Sequence, residues 1–177
     1  MSKLIKYMVC ISTIAILLLF HSSEVQAKPA VKDLRWAYML RFINYISWPD
    51  VKRGDEIAVC IVGKNPFAHV DHNFKSKTKS GNITVAKFYE SVPELTVLSQ
   101  CQVAYFSQSI SLAQLSFIFT QLKTMPVMTI GDHGAFVKLG GMLQFKQRGK
   151  KLRFSLNKEL LSKVDLKVHP SLLRLSL

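Results

Sequence analysis

The stretch EIAVCIVGKNPF, Glu56 to Phe67, decides how the chain is read. Ile57 to Val62 is a short, unbroken, β-branched-rich run. That pattern marks a strand buried on both faces, hence a parallel sheet covered by helices. The strand ends on Gly63, with Asn65 placed to cap a helix and Pro66 suited to its first position. Cys60 sits mid-run and leaves four readings open: a catalytic thiol, a metal ligand, an inert core residue or half of a disulfide. The compartment decides among them.

The first residues give the compartment. Lys3 and Lys6 precede the apolar run Met8 to Phe20, and Val25-Gln26-Ala27 is a small-x-small cleavage signal. Residues 1–27 therefore read as a signal peptide cut after Ala27, and residues 28–177 as the exported, periplasmic domain. An apolar run of about 13 residues is shorter than the roughly 20 that span a bilayer. Cys10 lies early in that run, unlike the cysteine of a lipoprotein signal. Export leaves Cys60 and Cys101, and an even pair in an oxidising compartment reads as a disulfide, with two separate buried thiols as the alternative. A metal site would need more ligands than surround either cysteine, and a reactive thiolate would need a base beside it.

Outward from Ile57–Val62 the elements alternate. Val31 to Ile46 has apolar residues near helical spacing, and Trp48-Pro49 ends it. Strands are expected at Ile83 to Phe88, Gln102 to Phe106 and Val127 to Ile130. Helices are expected after Asn65, over Glu94 to Ser99 and over Leu112 to Leu122. Met142 to Gln147 and Leu152 to Leu156, joined through Arg148-Gly149-Lys150, read as an antiparallel hairpin. Asn157 caps a short helix, Lys158 to Ser162. The fold class is α/β: one domain with an open, mostly parallel sheet flanked by helices and an antiparallel C-terminal hairpin.

The charge is strongly basic. Without Lys3, Lys6 and Glu24 of the leader, the 24 basic and 11 acidic residues fall to 22 and 10. Export and the spread of the lysines argue against nucleic acid, and point instead to an acidic partner surface, anionic lipid or plain solubility. Lys75, Lys77 and Lys79, near Gly81, read as a solvated loop. Two loops at the carboxyl ends of strands, where open α/β sheets bind ligands, are candidate ligand loops: Gly63-Lys64-Asn65, and Asp132-His133 within Gly131 to Gly134. Each is also explained by a glycine turn with a capping side chain. Neither matches a P-loop or a dinucleotide fingerprint. No serine elbow, carboxylate pair or HExxH is present. His69 and His72 stand three apart beside Asp71 with no third ligand in the pattern. The reading is no metal, no cofactor and no catalysis.

In order along the chain, several segments resemble the YfiR-like periplasmic proteins. Arg35 to Phe42 with Trp48-Pro49 resembles that family's K-A-x-F-L-x-x-F…W-P opening, with Arg35 where the pattern has lysine. Cys60 to Phe67 resembles C-V-x-G-x-(D/N)-P-F, and Cys101 to Ser107 resembles C-x-V-x-(F/Y)-(I/F)-S. Pro126 to Asp132, then Phe136 and Gly140-Gly141-Met142, is similar to P-V-L-T-(I/V)-G-D…F…G-G-M. Arg153 to Asn157 and Leu172 to Leu175 resemble R-F-x-(I/L)-N and the terminal L-L-R-L. The resemblance implies a non-enzymatic regulator that binds the periplasmic sensory domain of an inner-membrane signalling protein, typically a diguanylate cyclase, and represses it. It thereby implies a role in cyclic di-GMP signalling and biofilm control, with the disulfide linking redox state to output. A periplasmic small-molecule-binding module feeding a sensor or transporter is the alternative.

The tail, His169 to Leu177, is more apolar than a frayed end tolerates. Either its leucines dock on the sheet, or His169, Leu173 and Arg174 form part of a surface for the receptor or for a second copy of the chain.

Overall fold

Glu56–Val62 forms β2, and every residue of it after Glu56 is buried. The computed structural model describes residues 31–175 other than 68 and 150, so the expected leader and its cleavage site lie outside the described residues. The helices are α1 (Val31–Ile43), α2 (Leu95–Leu98), α3 (Leu112–Leu122), α4 (Lys158–Lys163) and α5 (Pro170–Leu175). The other strands are β1 (Ile46–Ser47), β3 (Lys75–Lys77), β4 (Ile83–Tyr89), β5 (Val103–Phe106), β6 (Met128–Gly131), β7 (Leu143–Arg148), β8 (Lys151–Leu156) and β9 (Lys167–Val168).

Seven strands make one sheet in the order β3-β4-β2-β5-β6-β7-β8. The inner five, β4, β2, β5, β6 and β7, pair in parallel, and β3 and β8 run antiparallel at the edges. The α/β reading holds, with an antiparallel strand at both edges rather than one. Strand order reverses at β2, which has β4 on one side and β5 on the other.

Alternation along β2 assigns its two faces. Ile57, Val59 and Ile61 join Trp36, Met39, Phe42 and Ile43 of α1 in one buried cluster. Cys60 and Val62 join Leu115, Ile118, Phe119 and Leu122 of α3 in the other. α3 keeps its register through a capping box: Ser111 Oγ accepts from the Gln114 amide and Gln114 Oε1 accepts from the Ser111 amide. Its four buried apolar side chains contribute about 1.5–3 kcal/mol each. Phe136 fills the end of this layer, 4.9 Å from the Phe119 ring. A side chain at Gly131 or Gly141 would overlap the Phe136 ring, so both positions need glycine for close approach.

Three elements differ from expectation. Among the described residues no helix follows Asn65: its Oδ1 accepts from the Phe67 amide, its Nδ2 donates to the Phe67 and Val70 carbonyls, and buried Phe67 holds the turn against the sheet. α1 stops at Ile43, because Ile46 and Ser47 leave it to pair with Val168 and Lys167. Lys75–Lys77, expected in a loop, is an edge strand, which alternation of lysine with small polar residues does not advertise. The tail follows β9 and forms α5, where Leu172 docks with 1% exposure, in line with the first of its two readings.

Cys60 and Cys101 are bridged, with Cα atoms 5.9 Å apart and a sequence separation of 41. Closing a loop of that length stabilises the fold by about 4 kcal/mol on the chain-entropy account. The double variant Cys60→Ala/Cys101→Ala should lose stability of that order in urea unfolding. A midpoint equal to that of the oxidised wild type would reject the assignment.

Candidate functional site

The loops after β2, β5 and β6 meet at the carboxyl edge of the sheet. Gly63 takes φ +88°, a left-handed conformation that favours glycine, and a Cβ there would overlap the Ser107 and Ser109 hydroxyls. Its amide donates to the Tyr89 carbonyl at 2.7 Å. The Lys64 amide donates to Ser109 Oγ at 2.8 Å, so it is occupied within the protein. The Ser107 and Ser109 hydroxyls lie 2.8 Å apart, and His133 Nε2 lies 3.2 Å from the Ser107 carbonyl. Gly63-Lys64-Asn65 and His133, far apart in sequence, are thus joined through Ser107 and Ser109.

Beside them opens a cleft of about 850 Å³ over the ends of β4 and β2. Gly63, Lys64, Asn65 and Ser109 form one wall; Val70, Asp71 and His72 face Phe88, Tyr89 and Glu90. His72 stands edge-on to Phe88 at 4.7 Å. The floor is aromatic and the rim carries charge of both signs, a composition suited to a small amphipathic ligand.

Asp132 is not in that cleft. Its carboxylate meets the Arg35 guanidinium at 2.8 Å, with side-chain exposures of 6% and 17%. Asp132 follows β6 and Arg35 lies in α1, so the pair ties the helix to the end of the sheet. The Tyr105 hydroxyl, from β5, is buried near both charges. Burial first, and then the Asp132 carboxylate, push its pKa well above the usual tyrosine value. Arg35 Nε, Trp36 Nε1, Tyr105 Oη and Asp132 Oδ1 are buried without a protein hydrogen-bond partner. Neither Arg35 nor Tyr105, the two groups that face Asp132, was a candidate site residue in the sequence. An arginine in the first half of a helix and an aspartate after a buried strand are each ordinary, and no periodicity connects them.

The remaining candidates fall elsewhere. Cys60 and Cys101 are sealed in the α3 layer, where the bridge holds them out of any thiol chemistry. His69 and His72 share a loop with Asp71, and among the described residues no three His, Cys, Asp or Glu side chains are placed to hold a metal. His169, Leu173 and Arg174 are exposed, half-buried and exposed respectively. They sit at α5, where the His169 ring lies 5.8 Å from Tyr45, and none lines the cleft.

Two measurements test the buried cluster. Arg35→Ala strands a carboxylate that is 6% exposed, and should cost about 3 kcal/mol, read as a shift in the urea midpoint. An unchanged midpoint would show that the pair holds nothing. Tyr105→Phe removes a hydroxyl without a protein partner, so its stability at neutral pH should equal or exceed the wild type. In the unfolded chain Tyr105 ionises near pH 10, whereas the folded protein keeps its proton. The stability this gives is present below that pH and is lost as pH rises through the folded value. Tyr105→Phe should therefore lose less stability than the wild type between about pH 10 and 11. Identical alkaline limbs would contradict the assignment.

Among the described residues no helix is long and apolar enough to cross a membrane. Residues 32–177 match the family model described as YfiR/HmsC-like, which takes in both cysteines, the cleft loops and α5. The members of that family are periplasmic regulators. With its paired cysteines, its switch-point loops and its terminal helix all inside the match, the chain belongs to the YfiR/HmsC-like family.

Proposed function

We propose that residues 1–27 are removed on export, and that residues 28–177 bind the periplasmic sensory domain of an inner-membrane signalling protein, a diguanylate cyclase, and hold it off. The family match over residues 32–177 carries this reading. A surface beside α5 supports it. Tyr38, Arg41 and Tyr45 from the α1 side, with Arg153 of β8, line a groove of about 170 Å³ floored by Phe42, Phe154 and Leu172. Tyrosine and arginine on an apolar floor are the side chains that dominate protein–protein binding energy. Exposed Arg174 lies two residues beyond Leu172 and adds a bidentate donor for a partner carboxylate. A regulator acting this way shifts its receptor only by the difference in its affinity for the two receptor states.

The cleft supports a second reading, a module that captures a small molecule against Phe88 and Tyr89 and passes the signal on. The two separate experimentally. Arg153→Ala/Arg174→Ala should keep the wild-type melting temperature, weaken binding of the purified receptor domain at least tenfold in calorimetry, and release the cyclase in cells. Normal repression by that variant would remove the groove from the receptor interface. The opposite pattern, with repression lost only on substitution of Phe88 or Tyr89, would favour the small-molecule reading.

A further inference from the structure

The α3 layer stops short of one margin of the sheet. It covers Cys60, Val62, Ala104 and Phe106, but its buried cluster takes no residue from β3 or β4, and only partly buried Tyr89 packs against it from that side. The register shows what occupies the uncovered margin. Lys75 pairs with Val85 and Lys77 with Ile83, while Ile83 lies beside Glu56 and Lys87 beside Cys60. Paired residues share a face, so Lys75, Lys77, Ile83 and Lys87 stand on the face that α3 covers further in. All four are exposed, and Ile83 is 43% exposed. Arg53 lies over the adjoining turn at Gly81. Two exposed carboxylates border the patch, Glu56, 3.9 Å from Lys87, and Asp55, whose backbone carbonyl accepts from the Ile83 amide; Lys75 and Lys77 have no ion pair among the described residues.

We infer that this uncovered face of β3 and β4 lies against an anionic phospholipid headgroup layer. A sheet face without a covering layer and with a surplus of cations fits an anionic occupant. The choice of cation selects lipid over protein. Protein interfaces are depleted in lysine and rely on aromatic and arginine anchors; here the only such groups among the described residues are Arg53 at the rim and Tyr89, which is engaged by the α3 cluster. Lysine is a flexible point charge, suited to a fluid layer of phosphates that offers no fixed fork for arginine to grip. Exposed Ile83 adds a shallow apolar contact at one end of the face, where the row of lysines surrounds Val85, itself 9% exposed. The face is separate from the Tyr/Arg groove, so the inference does not rest on the receptor reading.

Sedimentation of the purified protein with vesicles tests it. The protein should pellet with phosphatidylethanolamine–phosphatidylglycerol vesicles, stay in solution with phosphatidylcholine alone, and be released by salt. Lys75→Gln/Lys77→Gln/Lys87→Gln should weaken binding about a hundredfold, close to fivefold per lysine at low salt, with its melting temperature unchanged. Lys123→Gln/Lys158→Gln/Lys167→Gln carries the same net charge and removes exposed lysines elsewhere; it should bind as the wild type does. Equal loss in both variants would reduce the effect to net charge and overturn the assignment. So would a wild type that ignores anionic vesicles, and in that case retention on immobilised poly-glutamate would give the face to an acidic protein.

Discussion

The Cys60–Cys101 bridge brackets the part of the chain on which the surface chemistry depends. Between the two cysteines run the Gly63-Lys64-Asn65 turn, the Asp71-His72 loop, β3, β4 and the Phe88-Tyr89-Glu90 strand end. Apart from Ser109, every residue lining the cleft lies inside this loop. So does most of the basic sheet face. The segment crosses from the centre of the sheet to one edge and back, and no helix of its own covers β3. Hydrogen bonds to β2 position β4, and the bridge fixes β2 to the entry of β5. Without the covalent tie, the return of the chain from the sheet edge would rest on strand pairing and the short α2 turn.

A second constraint acts on the opposite face. Burying Arg35 and Asp132 costs desolvation that their mutual attraction only partly offsets. Four polar atoms around the pair lack protein partners, so the cluster is not built for maximum stability. Its effect is to fix position. α1 packs by apolar contacts that tolerate sliding, and an ion pair at its N-terminal half does not. Once Arg35 is set on Asp132, Trp36 falls against Phe67 and Phe74, with ring centroids 5.3 and 4.9 Å away, and Phe67 meets Tyr105 at 5.0 Å. This aromatic chain takes the place that a helix after Asn65 would have held, and it forms the underside of the 63–72 loop.

That substitution shows where sequence reasoning reaches and where it stops. Glu56–Val62, Leu112–Leu122 and the Asn157 cap were readable because a buried strand, an amphipathic helix and a capping side chain each leave a local, periodic mark. Asn65-Pro66 leaves the same local mark as a helix start. What decides against the helix is Phe67 turning into the α1 cluster, a tertiary contact with no local signature. β1 and β9 are two residues each and pair across most of the chain, below the length at which alternation can be seen. For the site, the glycine loops were found because glycine marks its own conformational need. Arg35, Tyr105, Ser107 and Ser109 were not, since each matters only through a neighbour distant in sequence.

The two surfaces differ in how they depend on the bridge. The cleft and the lysine face are built from residues within the loop it closes, whereas Tyr38, Arg41, Arg153 and Leu172 of the groove lie outside it, on α1, β8 and α5. On the chain-entropy account the bridge restricts the unfolded chain between residues 60 and 101, the segment that carries the cleft and most of the lysine face. Opening confined to that segment is a sub-global event with its own free energy, below that of global unfolding. Opening of the enclosed segment therefore disturbs the cleft and the lysine face, while the groove residues on α1, β8 and α5 lie outside it. If the groove engages a receptor and the lysine face holds the protein against the bilayer, such opening acts on where the regulator sits rather than on the residues with which it binds.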